Sequence, residues 1–396
     1  MTVKFRMQCG TRSDSVLKFT IKKQELNEAI QHVSKAVTGR TAIPILNGIK
    51  IDASPDGVTL TASDTDISIQ SFIPARREEQ EAISLEQPGS VVVPGKLFSE
   101  MIRKLPASEI DISVQEFFHI AIRSGNSDLQ MVGLDPEEYP VLPRLDESRM
   151  FSMRSDLLKT MIRQTIFSVS TSESTPVLTG ILWNMENGRL KFVSTDRHRL
   201  STRESDIETA ADLSFHNVVI SGKNLNELSR LLPDQDMLVD IVVSDSQVMF
   251  RIGTILFYTR VLDGTFPDTS RIIPQTFKTE LVTDTAAFLD AMDRAYLLSR
   301  EDRTNIVRLA TLPDGQIEVS STMAEMGKMT ERIETSELRG EDVKISFNAR
   351  YMLDALKSIE SESVFIGFTG AMSPIIIRPN GGERLLHLIL PYRTAN

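Results

Sequence analysis

Residues 43–64 read IPILNGIKIDASPDGVTLTASD, and residues 175–196 read TPVLTGILWNMENGRLKFVSTD. Each stretch has a proline-led apolar segment, an alternating strand pattern, an Asp-Gly or Asn-Gly turn and a second alternating strand pattern. A weaker copy, NIVRLATLPDGQIEVSS, occupies residues 305–321. The turn glycines Gly57, Gly188 and Gly315 are 131 and 127 residues apart. This spacing predicts three copies of one structural unit.

A second motif closes each copy and sets the domain bounds. It reads LDP with Tyr139-Pro140 in the first copy, LDG with Phe266-Pro267 in the second, and LPY at 390–392 in the third. We therefore expect domains at 17–142, 149–274 and 279–396. Residues 1–16 precede the first unit as a leader, which we expect to be disordered.

Each unit is expected to be doubled internally, with a strand, a helix and three strands occurring twice. Apolar residues recur at helical spacing, as in Leu26, Ala29, Ile30 and Val33. The predicted helices span 22–38, 96–105, 154–170, 223–232, 283–300 and 350–359. A helix with one apolar stripe must cover a sheet, so the fold is predicted to be α+β, with both helices of a unit on one side of its sheets.

The composition of the 396 residues excludes several classes of protein. Lys plus Arg number 44 against 54 Asp plus Glu, a formal charge of −10, which argues against a protein that coats nucleic acid with its whole surface. The single cysteine, Cys9, excludes an internal disulfide and a cysteine-rich zinc site. With no segment typical of a signal peptide or a membrane span, we expect a cytoplasmic protein.

The charges are distributed unevenly along the chain. The six predicted helices together carry +6, so the other residues carry −16. Lys96, Lys223 and Arg350 occur at 127-residue intervals at the start of each unit's second helix. Scattered cations on one face favour a surface that meets a polyanion, since they neutralise phosphates without reading sequence. Ordinary solvated surface charge is the alternative.

Two patterns resemble catalytic motifs. Residues 89–97, GSVVVPGKL, resemble a phosphate-binding loop, but the spacing between the glycines is one residue too long and Leu97 stands where Ser or Thr would bind magnesium. Asp196 and His198 are two residues apart, as in a base with an orienting carboxylate, although no nucleophile signature accompanies them. The five histidines show no metal-ligand spacing, and no cofactor is expected.

Five motifs in this order give the chain a specific resemblance. They are IPIL at 43–46, PVLTG at 176–180, TDRHRL at 195–200, FPD at 266–268 and LPYR at 390–393. With them, the chain from residue 17 to 396 resembles the bacterial sliding clamps, the β subunits of DNA polymerase III, of the Gram-positive type. The resemblance implies a head-to-tail homodimer that closes a ring of six DNA-clamp domains, with helices lining the hole.

The resemblance also implies partners. Double-stranded DNA passes through the hole without sequence recognition, and no membrane is involved. Arg40 matches a DNA-contacting arginine and Lys223 a lumen lysine, while repeat equivalence adds Lys96 and Arg350. Short linear peptides are implied from the replicative polymerase alpha subunit, the clamp loader, repair polymerases and mismatch-repair proteins.

A hydrophobic pocket for these peptides is implied between the second and third domains. Carried onto this sequence, it uses Leu178, Thr195, His198, Arg199, Leu200, Pro267, Arg271, Ile272, Pro374, Leu388, Leu390, Pro391, Tyr392 and Arg393. Arg197 stands where the family often has a small residue.

The implied dimer interface uses two pairs of residues. Leu129 and Met131 lie on an edge strand of the first unit, and Leu297 and Leu298 lie at the end of the third unit's first helix. The sequence thus favours a non-enzymatic DNA clamp. The alternatives are a repeat-built interaction scaffold that does not encircle DNA, and an enzyme that uses Asp196 and His198.

Overall fold

The computed structural model describes residues 16–37, 43–77, 80–142, 145–146, 150–209, 213–301, 304–323 and 327–393. The chain forms two compact units. One contains Met1–Met150 and Val239–Arg260, and the other contains Phe151–Leu238 and Val261–Asn396. None of the helices in the described ranges has the length and apolarity that a membrane crossing requires.

The secondary structure follows the predicted threefold repeat. The elements of the first repeat are β1 (Leu17–Lys22), α1 (Lys23–Val33), β2 (Gly48–Ser54), β3 (Gly57–Ser63), β4 (Ile67–Pro74), β5 (Arg76–Arg77), β6 (Gln80–Glu81), β7 (Ile83–Gln87), β8 (Gly89–Pro94), α2 (Gly95–Lys104), β9 (Glu109–Val114), β10 (His119–Ser124) and β11 (Ser127–Val132). Those of the second are β12 (Met150–Arg154), α3 (Ser155–Arg163), β13 (Gly180–Glu186), β14 (Arg189–Thr195), β15 (Arg199–Asp206), β16 (Phe215–Ser221), α4 (Gly222–Ser229), β17 (Leu238–Val243), β18 (Gln247–Ile252) and β19 (Ile255–Arg260). Those of the third are β20 (Thr279–Asp284), α5 (Thr285–Ser299), β21 (Ile306–Thr311), β22 (Ile317–Met323), β23 (Gly327–Ile333), β24 (Thr335–Gly340), β25 (Lys344–Asn348), α6 (Ala349–Ser358), β26 (Ser363–Phe368), β27 (Ile375–Pro379) and β28 (Leu385–Ile389).

The predicted α+β fold with six βαβββ copies is confirmed. Each repeat contains two helices, and three antiparallel strands follow each helix. Asn187 and Gly188 both have positive φ, at 51° and 73°, which is the backbone that a tight hairpin turn requires. The first and third repeats add the strands β7 and β24, which pair with β1 and β20.

The helix stripes form the cores, as predicted. Leu26, Ala29, Ile30 and Val33 are all buried on α1. In the third repeat, one apolar cluster joins Phe288 and Met292 of α5 to Met352 and Leu356 of α6 and to the strands beneath them. Both helices of this repeat therefore cover the same core.

Besides the two-stranded sheet of β5 and β6, the first unit contains two larger sheets. One has five strands in the order β11-β10-β9-β1-β7, and the other contains the run β17-β18-β19-β4-β3-β2-β8. The junction within this run is antiparallel, and it places Phe257 of the second repeat opposite Ile69 of the first.

The second unit contains a nine-stranded and a four-stranded sheet. Their orders are β16-β13-β14-β15-β28-β27-β26-β20-β24 and β23-β22-β21-β25. In the larger sheet, β15 of the second repeat pairs antiparallel with β28 of the third, with Leu200 opposite Leu388 and Ser201 opposite His387.

The two junctions follow one rule. The last strand of a repeat's first half pairs with the last strand of the second half of the next repeat, as β4 pairs with β19 and β15 with β28. Two strands at equivalent positions do not take part in these junctions. They are β11, the last strand of the first repeat's second half, and β23, the last strand of the third repeat's first half. Each is the terminal strand of its sheet among the described residues.

Candidate functional site

The floor of the expected peptide pocket is a single apolar cluster in the second unit. Leu178 comes from a 3-10 turn, Leu200 from β15 and Leu388 from β28. All three side chains are buried in one cluster, together with Phe266 and Ile376. The strand pairing between the second and third repeats therefore creates this floor, because it aligns Leu200 and Leu388.

The rim consists of exposed segments that leave this cluster. Phe266 and Ile273 pack against the floor, and the residues between them include the exposed Pro267, Arg271 and Ile272. After β28, the backbone N–H of Leu390 donates to the carbonyl oxygen of His198 at 2.9 Å. Leu390, Tyr392 and Arg393 are exposed, whereas Pro374 and Pro391 are half-buried. The arrangement gives an apolar floor with an exposed apolar and cationic rim, which suits an extended peptide with an aliphatic or aromatic anchor.

The loop from Thr195 to Arg199 is closed by its own polar groups. Asp196 Oδ1 accepts hydrogen bonds from the backbone N–H groups of His198 and Arg199, both at 2.9 Å. The Thr195 hydroxyl donates to the Arg199 carbonyl oxygen at 2.7 Å. Asp196 therefore orients the backbone rather than the exposed imidazole of His198, so the base-and-carboxylate hypothesis has no geometric support here.

Arg197 occupies a backbone conformation that favours a small residue. Its φ is +75°, and its side chain donates to the Thr175 hydroxyl at 2.8 Å. Residues other than glycine reach this left-handed region only at a cost in conformational energy.

Arg199 is held by two carboxylates and an aromatic ring. Its Nε donates to Asp196 at 3.0 Å, and its terminal nitrogen donates to Asp354 at 2.7 Å. The guanidinium carbon lies 4.3 Å from the centroid of the Tyr351 ring. Only 13% of the Arg199 side chain is exposed, so this residue fixes the loop to α6 more than it presents a free cation.

Sequence analysis missed the α6 residues Tyr351 and Asp354. Their sequence signals are their own i, i+3 spacing, which places both on one face of α6, and the i, i+4 spacing of Asp354 from Arg350. It also missed Asn217, whose side chain accepts from the Phe266 N–H and donates to the Gly264 carbonyl oxygen, both at 2.9 Å. Asn217 thereby fixes the loop that carries Pro267. A cavity of about 390 Å³ lies beside this loop and is lined by Val193, Phe266 and Ile273 among others.

The recurring cations occupy equivalent and exposed positions. Lys96, Lys223 and Arg350 are the second residues of α2, α4 and α6. Neither lysine forms an ion pair with any described residue, whereas Arg350 Nε lies 3.3 Å from Asp354 Oδ1. The neighbouring Tyr296 hydroxyl and Asp354 carboxylate raise the pKa of Arg350 above its usual value. Arg40 lies outside the described residues.

The helices carry less positive charge than expected. With the observed bounds, α1 to α6 have charges of −1, +2, +1, 0, −1 and +1, a sum of +2 instead of +6. The difference arises because five cations, Lys22, Lys35, Arg154, Arg230 and Arg300, and one acidic residue, Asp284, lie just beyond the helix ends. The helices remain more positive than the rest of the chain.

The expected dimer residues lie at two places. Leu129 and Met131 are on β11, with Leu129 half-buried and Met131 buried. Leu297 and Leu298 are in the last turn of α5, where Leu297 is half exposed.

Comparison with known proteins identifies the family. Models of the DNA polymerase III beta subunit match residues 17–143 with the N-terminal domain, 152–268 with the central domain and 270–393 with the C-terminal domain. The beta sliding clamp of Bacillus subtilis is 49% identical over 378 residues, which cover 96% of this chain and all of the relative. That of Halalkalibacterium halodurans is 47% identical over 377 residues, covering 95% and 99%.

A solved structure agrees with these matches. The crystal structure of the Bacillus subtilis sliding clamp has a TM-score of 0.94 and 48% identity, covering 96% of this chain and all of that one. The doubled repeats and the junction strands thus define a protein built of DNA-clamp domains. The chain belongs to the DNA polymerase III beta subunit family, the bacterial sliding clamps.

Proposed function

We propose that two copies of this sliding clamp close head to tail around duplex DNA and tether the replicative polymerase to it, without catalysis. The observation that supports this is the strand rule of the two junctions. Since β4 pairs with β19 and β15 with β28, the remaining strands β23 and β11 are free to make the same junction between two copies. Two such junctions close a ring of six domains.

The repeat equivalence gives the register of the proposed junction. Ile69 faces Phe257 in the first junction, and Ser201 faces His387 in the second. The equivalent residues are Met329 on β23 and Leu129 on β11. Their four counterparts are buried, whereas Met329 and Leu129 are half-buried. This difference is expected if a second copy covers them. Met131 continues the same face of β11, and Leu297 and Leu298 are proposed to complete the interface.

DNA contact is proposed through the cations of the helices. Lys96, Lys223 and Arg350, with Arg40, would neutralise phosphates without reading bases, which allows sliding. The acidic remainder of the chain discourages binding elsewhere. Retention on DNA would then depend on ring closure rather than on affinity.

Peptide capture is proposed at the apolar cluster around Leu178, Leu200 and Leu388 and at its rim. The proposed occupants are short linear segments of the polymerase alpha subunit, the clamp loader, repair polymerases and mismatch-repair proteins. The domain bounds 17–142, 149–274 and 279–396 and a cytoplasmic location belong to the same proposal.

Topology provides the test. Protein loaded onto nicked circular duplex is expected to remain with the DNA through gel filtration at high salt, and to be lost after a restriction enzyme linearises the circle. Static light scattering should give the mass of a dimer. Equal loss from circular and linear DNA would contradict encirclement and would favour a scaffold that does not enclose DNA.

A further inference from the structure

A continuous chain of charged side chains connects the loop of the proposed peptide pocket to a proposed DNA-contacting cation. It begins at Asp196, which holds the backbone of His198 and Arg199. It continues through Arg199 to Asp354 at 2.7 Å and ends at Arg350, whose Nε lies 3.3 Å from the other oxygen of Asp354. The second and third repeats thus meet in one ion-pair chain within the second unit.

The members of this chain differ in exposure. The side chains of Asp196, Arg199 and Asp354 are at most one-fifth exposed, whereas that of Arg350 is 59% exposed. Charges that are largely shielded from water interact more strongly than surface charges. The ion pairs of Arg199 with Asp196 and Asp354 are therefore stronger than the ion pair of Arg350 with Asp354. The Arg350 end is the part that a ligand from solution can reach.

We propose that Asp354 is a positioning residue that couples phosphate contact at Arg350 to the rigidity of the pocket loop. The Asp354 carboxylate forms ion pairs with two guanidinium groups, those of Arg199 and Arg350. When a DNA phosphate attracts Arg350 away from Asp354, the carboxylate pairs with Arg199 only. The electrostatic repulsion between the two arginines then decreases. Arg199 then holds Asp196 and the loop more tightly. The inference rests on the proposed function, since it needs both the DNA contact and the pocket.

The direction of the effect follows from this geometry. Contact of Arg350 with DNA stabilises the pocket loop, residues 195–199. By thermodynamic linkage, a peptide that binds the pocket and orders this loop also favours the contact of Arg350 with DNA. A clamp on DNA would therefore present a better-ordered pocket than a free clamp. Because Arg350 is exposed, its contribution is modest, and we expect about a threefold change in loop opening.

Hydrogen exchange at the loop amides tests the coupling directly. The intact ring is compared with and without threaded nicked circular duplex, and exchange is followed by mass spectrometry in the segment 195–200. In the unmodified protein, DNA should slow exchange about threefold. Arg350→Gln should show slow exchange already without DNA and no further change with it. Asp354→Asn should remove the response to DNA and leave the exchange fast.

Lys357→Gln is the matched control, because it removes one exposed cation from the same helix outside the ion-pair chain. It should keep the full response to DNA. An equal DNA effect in Arg350→Gln and the unmodified protein, or no effect in the latter, would overturn the coupling. Retention on circular DNA is measured in the same samples. Loss of retention would refute the proposed function, whereas retention without a loop response would refute the coupling alone.

Discussion

His387 is a fully buried titratable residue at the junction of the second and third repeats. Its Nδ1 lies 2.9 Å from the Ser201 hydroxyl, and its Nε2 lies 2.9 Å from the Ser358 hydroxyl. Since Ser358 donates to the Ala355 carbonyl oxygen at 2.7 Å, we assign the imidazole proton to Nε2. Burial lowers the pKa of His387 to about 3, so the ring is neutral in the folded protein.

This environment predicts an acid-sensitive junction. His387 has a pKa of 6.5 in the unfolded chain and about 3 in the folded protein. Its neutral form therefore contributes fully to the free energy of unfolding above pH 6.5, and this contribution is lost as the pH falls towards 3. The loss is about 1.4 kcal/mol per pH unit over that window. Urea unfolding at fixed protein concentration, from pH 7.5 to 4.5, measures it.

His387→Gln is the comparison variant, because it keeps polar groups but does not titrate. It should be less stable than the unmodified protein at pH 7.5, by about 1–3 kcal/mol for a buried polar group left unpaired. The difference in the free energy of unfolding between the two proteins should decrease as the pH is lowered. A constant difference between the two proteins from pH 7.5 to 4.5 would show that His387 does not control the acid response.

At the scale of elements, the open strands β11 and β23 allow a direct test of the proposed register. With Cys9→Ser, Leu129→Cys and Met329→Cys in one chain, oxidation should join the two copies covalently. The reason is that directly opposed residues of an antiparallel pair place their Cβ atoms within about 5.5 Å, close to disulfide geometry. Non-reducing electrophoresis should then show a dimer band.

A one-residue slip supplies the control for this cross-link. Thr330→Cys replaces Met329→Cys, and its side chain points to the opposite face of β23 because strand side chains alternate. It should yield little dimer. Equal cross-linking of both pairs would disprove the register, and no cross-linking of either would argue against the β11–β23 junction.

The segment after β28 carries much of the pocket rim, so its removal should separate two functions. Deleting residues 390–396 removes the exposed side chains of Leu390, which follows the floor strand β28, and Tyr392. Binding of the replicative polymerase, measured by surface plasmon resonance, should weaken at least about thirtyfold, as expected for loss of apolar anchors. Light scattering should still report a dimer, since the proposed junction uses other strands.

The point variant Leu390→Ala should weaken polymerase binding in the same direction but less strongly. Phe117→Ser is the control, because Phe117 is 82% exposed and belongs to the first unit, whereas the pocket residues belong to the second. It should bind as the unmodified protein does. Unchanged affinity after the deletion would place the polymerase site elsewhere.

The periodicity of apolar residues predicted the positions of helices and strands better than it predicted which strands pair. The apolar stripes placed all six helices, but α3 ends at Arg163, before the predicted residue 170. There the Thr165 N–H donates to the Ile162 carbonyl oxygen at 3.1 Å instead of to that of Met161, which accepts from the Thr165 hydroxyl at 2.8 Å. Strand β24 was missed, since Leu338 is its only apolar residue and pairing with β20 creates it. The pairing of β15 with β28 has no local signal, and only the family resemblance indicated the pocket that it forms.

At the scale of the whole molecule, a net charge of −10 coexists with a recurring cation on three helices. The net charge of the six observed helices is only +2. The proposed DNA surface is therefore defined by where its cations lie rather than by a large excess of positive charge. A few exposed cations per subunit suit a protein that must hold DNA without stopping on it. Strong phosphate binding would oppose sliding.

The charge-reversed variant with Lys96→Glu, Lys223→Glu and Arg350→Glu tests this surface. In a dimer it replaces six cations, so binding to short linear duplex should fall and the slope of log K against log salt should decrease by at most about 5. Retention on nicked circles should persist once loading has occurred, because a closed ring needs no affinity. Lys18→Glu, Lys278→Glu and Lys344→Glu together form the control, with the same charge change outside the helices, on the half-buried Lys18 and the exposed Lys278 and Lys344. If both triple variants lost duplex affinity and salt slope equally, overall charge rather than the helix positions would govern DNA contact.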